Sequence, residues 1–191
     1  MNTTTSTTTP SAIPSQAARW TIDATHSSVS FSVRHMMISN VRGELGGVVG
    51  EVTYDPRRPE ASKLSATIDA ASIHTREESR DAHLRSADFL DVARYPTITF
   101  VATSVRRDGD GLDIVGDLTI RGVSREVTLA VSELSGEHTD PYGNRRLGAT
   151  ATTKIRRSDF GMSFNAILET GGVLVGDEIA ITLDIQLIKQ G

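Results

Sequence analysis

Five histidines, His26, His35, His74, His83 and His138, are the side chains best suited to move a proton near neutral pH or to bind a metal. No pair of them has the tight spacing of a metal site. There is no cysteine, which removes thiol catalysis, thiolate zinc and redox switching. The chain has no G-x-S-x-G, no Gly-rich phosphate loop and no H-E-x-x-H. Ser, His and Asp occur, but nothing local arranges them as a triad. The expectation is therefore a protein with no catalytic residue, metal or cofactor. His35, His74 and His83 are the histidines that could meet in space, so an enzyme using a His or carboxylate pair stays as an alternative.

Strands would have to position these groups. From Trp20 onward apolar residues alternate with polar ones: Val29-Phe31-Val33, Leu64-Ala66-Ile68, Ile98-Phe100-Ala102, Leu112 to Ile120, Val127-Leu129-Val131, Leu147-Ala149-Ala151 and Ile179 to Leu187. A period of two marks strands with one buried face. Turn signals separate them at Asp108-Gly109-Asp110-Gly111, at Arg121-Gly122-Val123 and over 140–144. About eight strands result, near 20–35, 41–54, 63–70, 97–106, 111–120, 124–134, 147–157 and 178–188. That count suits an antiparallel barrel or sandwich.

One segment breaks the period. Thr75 and Glu78 have the spacing of a capping box, and residues 76–86 suit a short helix. On it Arg76, Arg80 and His83 fall at i, i+4 and i+7 and share a face. Beside a barrel mouth that face suits a phosphate, a carboxylate or a quinone oxygen. The other reading is surface ion pairs with Glu77, Asp81 or Asp88. His35 has the parity of Phe31 and Val33, which points it to their face. Phe160, Met162 and Phe164 form an apolar row in an irregular segment, either a plug or a soft lid. Gly43, Gly46, Gly47 and Gly50 in the second strand leave either bends or empty volume.

The chain has 191 residues and a net charge of −4, one domain in size and without the positive surface that nucleic acid requires. The pairs Arg57-Arg58, Arg106-Arg107, Arg145-Arg146 and Arg156-Arg157 are scattered and read as solvated charges. No stretch suits a membrane span. Residues 1–18 lack a secretory signal's basic start and apolar run, and read as a disordered tail before a domain over 19–191. A cytoplasmic place is expected.

Several ordered motifs resemble the YceI-like proteins. They are Trp20 to His35, Arg80 to Phe89, Tyr95 to Phe100, Gly116 to Val123 and Arg157 to Gly161. The likeness covers Trp20 to about Lys189. It implies an all-β fold, an eight-stranded antiparallel lipocalin-like β-barrel with a short helical excursion. It also implies a tunnel for a polyisoprenoid, such as a prenyl quinone tail, or for another long-chain lipid or amide. Parity and resemblance together nominate Phe31, Val33, Phe100, Leu118, Leu129, Phe160, Met162, Phe164, Ile181 and Leu183 as wall residues. His35, Arg80 and His83 are nominated near a head group. The other alternative is a filled barrel serving as an interaction module, and an edge between the first and last strands could support a homodimer.

Overall fold

The computed structural model describes residues 17–166 and 173–191. The expected tail lies outside them except for Ala17 and Ala18, and Ala18 already begins a strand. In chain order the strands are β1 (Ala18–Ile22), β2 (Ser28–His35), β3 (Ser39–Leu45), β4 (Val49–Tyr54), β5 (Lys63–Asp69), β6 (Thr97–Asp108), β7 (Gly111–Ile120), β8 (Val123–Leu134), β9 (His138–Thr139), β10 (Arg145–Arg156) and β11 (Val175–Lys189). The helix α1 (Glu78–Arg85) lies in the excursion between β5 and β6.

Every pairing is antiparallel. The ring β1-β4-β5-β6-β7-β8-β10-β11 closes because β11 pairs with β10 on one side and with β1 on the other. This is a closed eight-stranded barrel. First and last strands pair with each other, so the edge on which the homodimer was expected is already used.

The two longest expected strands each break in two. After β1, Asp23 accepts hydrogen bonds from Thr25 N and Thr25 Oγ1, a local turn that competes with the ladder. Between β3 and β4, Gly47 takes a left-handed φ of 64°. Ser72 bonds both the N–H and the carbonyl of Gly46 there. So β1 lies along the end of β11 and β2 along its beginning, two halves of one place in the wall.

The hairpins follow the expected turns. Arg121 and Gly122, both at positive φ, join β7 to β8 as a two-residue primed turn requires. Gly43 has the other kind of reason. A Cβ there would stand 2.5 Å from the Phe31 ring, its cross-strand partner. The missing side chain is therefore the space in which Phe31 lies.

The barrel has two different ends. The lower end holds the start of β1, the end of β4 and the end of β11; its core is Trp20, Val52, Leu147 and Leu187. The upper end holds the β2–β3 hairpin, the start of β11 and α1. Its core includes Ala70, Ile73, Leu90, Ile98, Ile120, Ile155, Phe160 and Met162.

The excursion differs from its expected form. Glu77, not Thr75, caps α1, accepting from Ser79 N at 3.1 Å and Arg80 N at 2.6 Å. Arg76 has a left-handed φ of 65°, which keeps it out of the helix. Thr75 instead gives its N–H to the buried carboxylate of Asp81 at 2.8 Å. The excursion is fastened to the barrel by mutual backbone bonds of Glu44 and His74, both 2.9 Å. Arg85 adds bonds to the carbonyls of Ala71 and Ile73.

Candidate ligand-binding site

Alternation places the odd-numbered residues of β10 and β11 and the even-numbered residues of β7 inside the ring. They enclose a central cavity of about 200 Å³ open to a water-sized sphere. Among the described residues its polar lining is limited to Tyr54, Ser62, Thr99 and Thr153, and none of them is charged. A second cavity, about 110 Å³, lies under the upper end. Val29, Leu45, Ile98, Ile120 and Ile181 line both, so the two adjoin. A pocket of about 470 Å³ opens at the lower end, and Tyr54 and Leu147 line both it and the central cavity.

Of the nominated wall residues, Phe100, Leu118, Leu129, Ile181 and Leu183 line the central cavity. Phe31, Val33 and Met162 line the upper one. Phe160 lines neither; it is buried in the upper core at the end of a 3-10 turn. Phe164 is half-buried outside both cavities, its ring 4.7 Å from His83 and 5.4 Å from Phe89. The expected apolar row is thus divided: one residue plugs, one lines, one caps.

The three nominated polar residues do not converge. His35 stands at the end of β2 opposite Val175 and lines neither apolar cavity. Arg80 donates to Thr75 Oγ1 at 2.8 Å and to the Thr75 carbonyl at 2.9 Å. His83 pairs with Asp88 at 2.9 Å. Arg76 precedes the helix, so the shared cationic face does not form. Asp81 serves no arginine; it takes Thr75 and, at 3.1 Å, His74. The Thr75 hydroxyl foremost holds the Asp81 carboxyl below its ordinary value, against the opposing effect of burial. Among the described residues no group of three His, Asp or Glu is arranged to hold a metal.

The expectation that Arg157 is half of a solvated basic pair is corrected by the structure. It is 5% exposed. Its guanidinium donates to the carbonyls of Met162 at 2.6 Å, Phe164 at 2.8 Å, Gly176 at 2.9 Å and Val175 at 3.2 Å. Desolvation pulls its pKa down, with the Asp177 charge opposing. It ties the Met162–Phe164 stretch to the start of β11 and lines the upper cavity. The signal was available: Arg157 continues the inward parity of Leu147, Ala151 and Ile155 along β10.

A closed eight-stranded antiparallel barrel with an apolar interior and a short helical excursion over one end is a lipocalin-like fold. The YceI-like domain pattern matches residues 20–187, and the chain belongs to that family. Protein YceI of Escherichia coli O17:K52:H18 is 44% identical over 148 residues, 76% of this chain and 77% of that protein. BcnA of Burkholderia cenocepacia has the same fold, with a TM-score of 0.75 at 23% identity over 86% of this chain and 98% of its own. A polyisoprenoid binding domain from Saccharophagus degradans superposes with a TM-score of 0.64 at 16% identity, covering 90% of this chain and 98% of its own.

Proposed function

We propose that this protein binds and carries a long apolar molecule, a polyisoprenoid or a comparable long-chain lipid, along the barrel axis, and performs no chemistry on it. The observation that carries this is the interior: adjoining apolar cavities, the central one without a charged lining side chain among the described residues. Burying one CH₂ is worth about 0.8 kcal/mol, so an isoprene unit contributes roughly 3–4 kcal/mol before ordering costs. Those costs, of order 4–15 kcal/mol, are met by a few units. The likeness to a polyisoprenoid binding domain supports the ligand class.

Native mass spectrometry of the freshly purified protein, followed by organic extraction, tests this. A stoichiometric long-chain species is expected. Bare protein that also takes up no added prenyl quinone or fatty amide would leave the interaction-module reading in its place. The cytoplasmic location is part of the same proposal and is checked by fractionation against periplasmic and cytoplasmic markers. No helix among the described residues is long and apolar enough to cross a membrane.

A further inference from the structure

The turn between β2 and β3 exposes three consecutive apolar side chains. Met36 is 40% exposed, Met37 56% and Ile38 75%. Val173 is exposed as well, and its neighbour Leu174 accepts the Met36 N–H at 2.8 Å. These four are half of the eight large apolar residues exposed among the described ones, so the exposure is concentrated at one place. The backbone there is also strained. Ile38 N–H closes the turn on the His35 carbonyl at 3.1 Å, and Met36 and Met37 take left-handed φ values of 49° and 62°. Such positions ordinarily hold Gly, Asn or Asp, and long apolar side chains fit them poorly. Strain and exposure both weaken the fold, and their coincidence in one turn points to a use outside it.

Two exposed arginines flank the turn. Arg34 stands opposite Asn40 and Arg42 opposite Ser32, so they are diagonal neighbours on the outer face of the hairpin. Arg34 donates to the Met37 carbonyl at 3.0 Å and so lies against the turn itself. The ion pairs of the described residues include neither arginine. The acid of that face, Glu44, lies farther along β3, opposite Ser30. The same strands lead inward: Phe31 and Val33 of β2 and Val175 of β11 line the upper cavity, and Val175 stands opposite His35 at the base of the turn.

We propose that this turn docks the protein on an anionic lipid bilayer: Met36, Met37 and Ile38 enter the interface, Arg34 and Arg42 meet lipid phosphates, and the upper cavity faces the membrane. Exchange of a long apolar ligand with the bilayer rests on the carrier reading; the docking itself needs no ligand. Three exposed residues and two arginines fall far short of the roughly 20–30 residues that each side of a stable protein pair contributes. A bilayer interface needs no matching shape, only apolar side chains to take in and cations for its phosphates. The net charge of −4 sets the rest of the surface against such a membrane, which favours approach by this end.

The full chain is sedimented with vesicles of phosphatidylcholine, alone or mixed equally with phosphatidylglycerol, without added ligand. Binding to the anionic vesicles is expected, weakening with salt and about tenfold poorer on the neutral ones. Ile38→Asp should weaken it about tenfold and Arg42→Gln several-fold. Both residues are exposed, so urea melts should stay unchanged. The chain has no cysteine, so an environment-sensitive fluorophore on Met37→Cys reports the turn alone. Its emission should shift to the blue on anionic vesicles, while the same label on Tyr142→Cys, in the exposed loop between β9 and β10, should not shift. No vesicle binding, equal shifts at both labels, or full binding by Ile38→Asp overturns the proposal. Dimers that Ile38→Asp dissolves, without vesicle binding, also overturn it and make the patch a contact between two copies. Failed docking with normal prenyl quinone uptake leaves the carrier reading intact. Docking without any uptake overturns that reading and keeps the membrane contact.

Discussion

At the upper end of the barrel the buried polar side chains of the described residues have partners; at the lower end two atoms, Trp20 Nε1 and Ser62 Oγ, do not. The upper end is a cap. Its cations face carbonyls, its carboxylate Asp81 faces donors, and its aromatic rings Phe89 and Phe164 close over His83. The lower end is closed mainly by one large side chain, Trp20, packed on Val52, Leu147 and Leu187. Polar residues close to a mouth can thus be structural, because a mouth made of irregular backbone has many carbonyls and N–H groups to satisfy.

The most severe way to break the comparison acts on both ends together. Ile181 lines the central and the upper cavity. Ile181→Asp puts an unpaired charge at their junction, costing about 3 kcal/mol or more of stability and abolishing uptake of any long-chain probe. Burial raises the pKa of such a carboxyl, so the loss should be worse at pH 8 than at pH 5. Urea melts and native mass spectrometry at both pH values check this. Normal uptake by folded Ile181→Asp would mean the ligand does not pass this junction.

Arg157→Met breaks the upper end alone. It strips the donors from four carbonyls, at a cost of about 2–4 kcal/mol. Hydrogen exchange should rise first at 162–166 and at the start of β11, and bound probe should leave faster. Arg157→Lys should rescue little, since one ammonium cannot replace a planar fork. A slow off-rate kept in Arg157→Met would show that the upper cap does not retain the ligand.

The third test uses pH. The Asp81 carboxyl is held below its ordinary 3.8 in the folded protein. A depressed folded value means its stabilising contribution is complete above 3.8 and is lost as pH falls through the folded value. Protection factors over 70–96 should therefore drop in acid, and Asp81→Asn should show the acid-like pattern already at pH 7. At the lower end Thr25 and Arg146 hold Asp23 down, and Arg146 and Asn144 hold Asp140 down. In Asp81→Asn that region should keep its own acid response. Loss of both responses would show that the two ends melt as one unit.

These contrasts were only partly legible in the sequence. Alternation placed the barrel strands and the cavity-lining faces of β7, β10 and β11, because a period of two has one structural meaning when one face is buried. It did not place the corners: the Asp23–Thr25 turn and the Gly47 bend interrupt runs whose apolar pattern continues across them. The capping-box spacing at Thr75 named the wrong cap, since Asp81 captures Thr75 and leaves Glu77 to satisfy the first N–H groups. Arg157 was legible by parity but obscured by its charge, which made solvation the default. The free valence of Trp20 left no trace in the sequence, since a missing partner is a property of three-dimensional surroundings.

The smallest expected effect tests whether the upper mouth holds a polar group of the ligand. His83 was nominated near a head group, yet its Nε2 is occupied by Asp88 at 2.9 Å and its ring lines neither apolar cavity. His83→Ala removes edge contacts to Phe89 and Phe164, 5.0 and 4.7 Å between ring centres, at about 1 kcal/mol of stability. Its effect on probe affinity should stay under about threefold, roughly 0.7 kcal/mol. Titration of a prenyl quinone into His83→Ala beside the unaltered protein makes the measurement direct. A tenfold loss in His83→Ala with unchanged stability would place a polar group of the ligand at the upper mouth, because a residue that only props the cap cannot weaken binding without also weakening the fold.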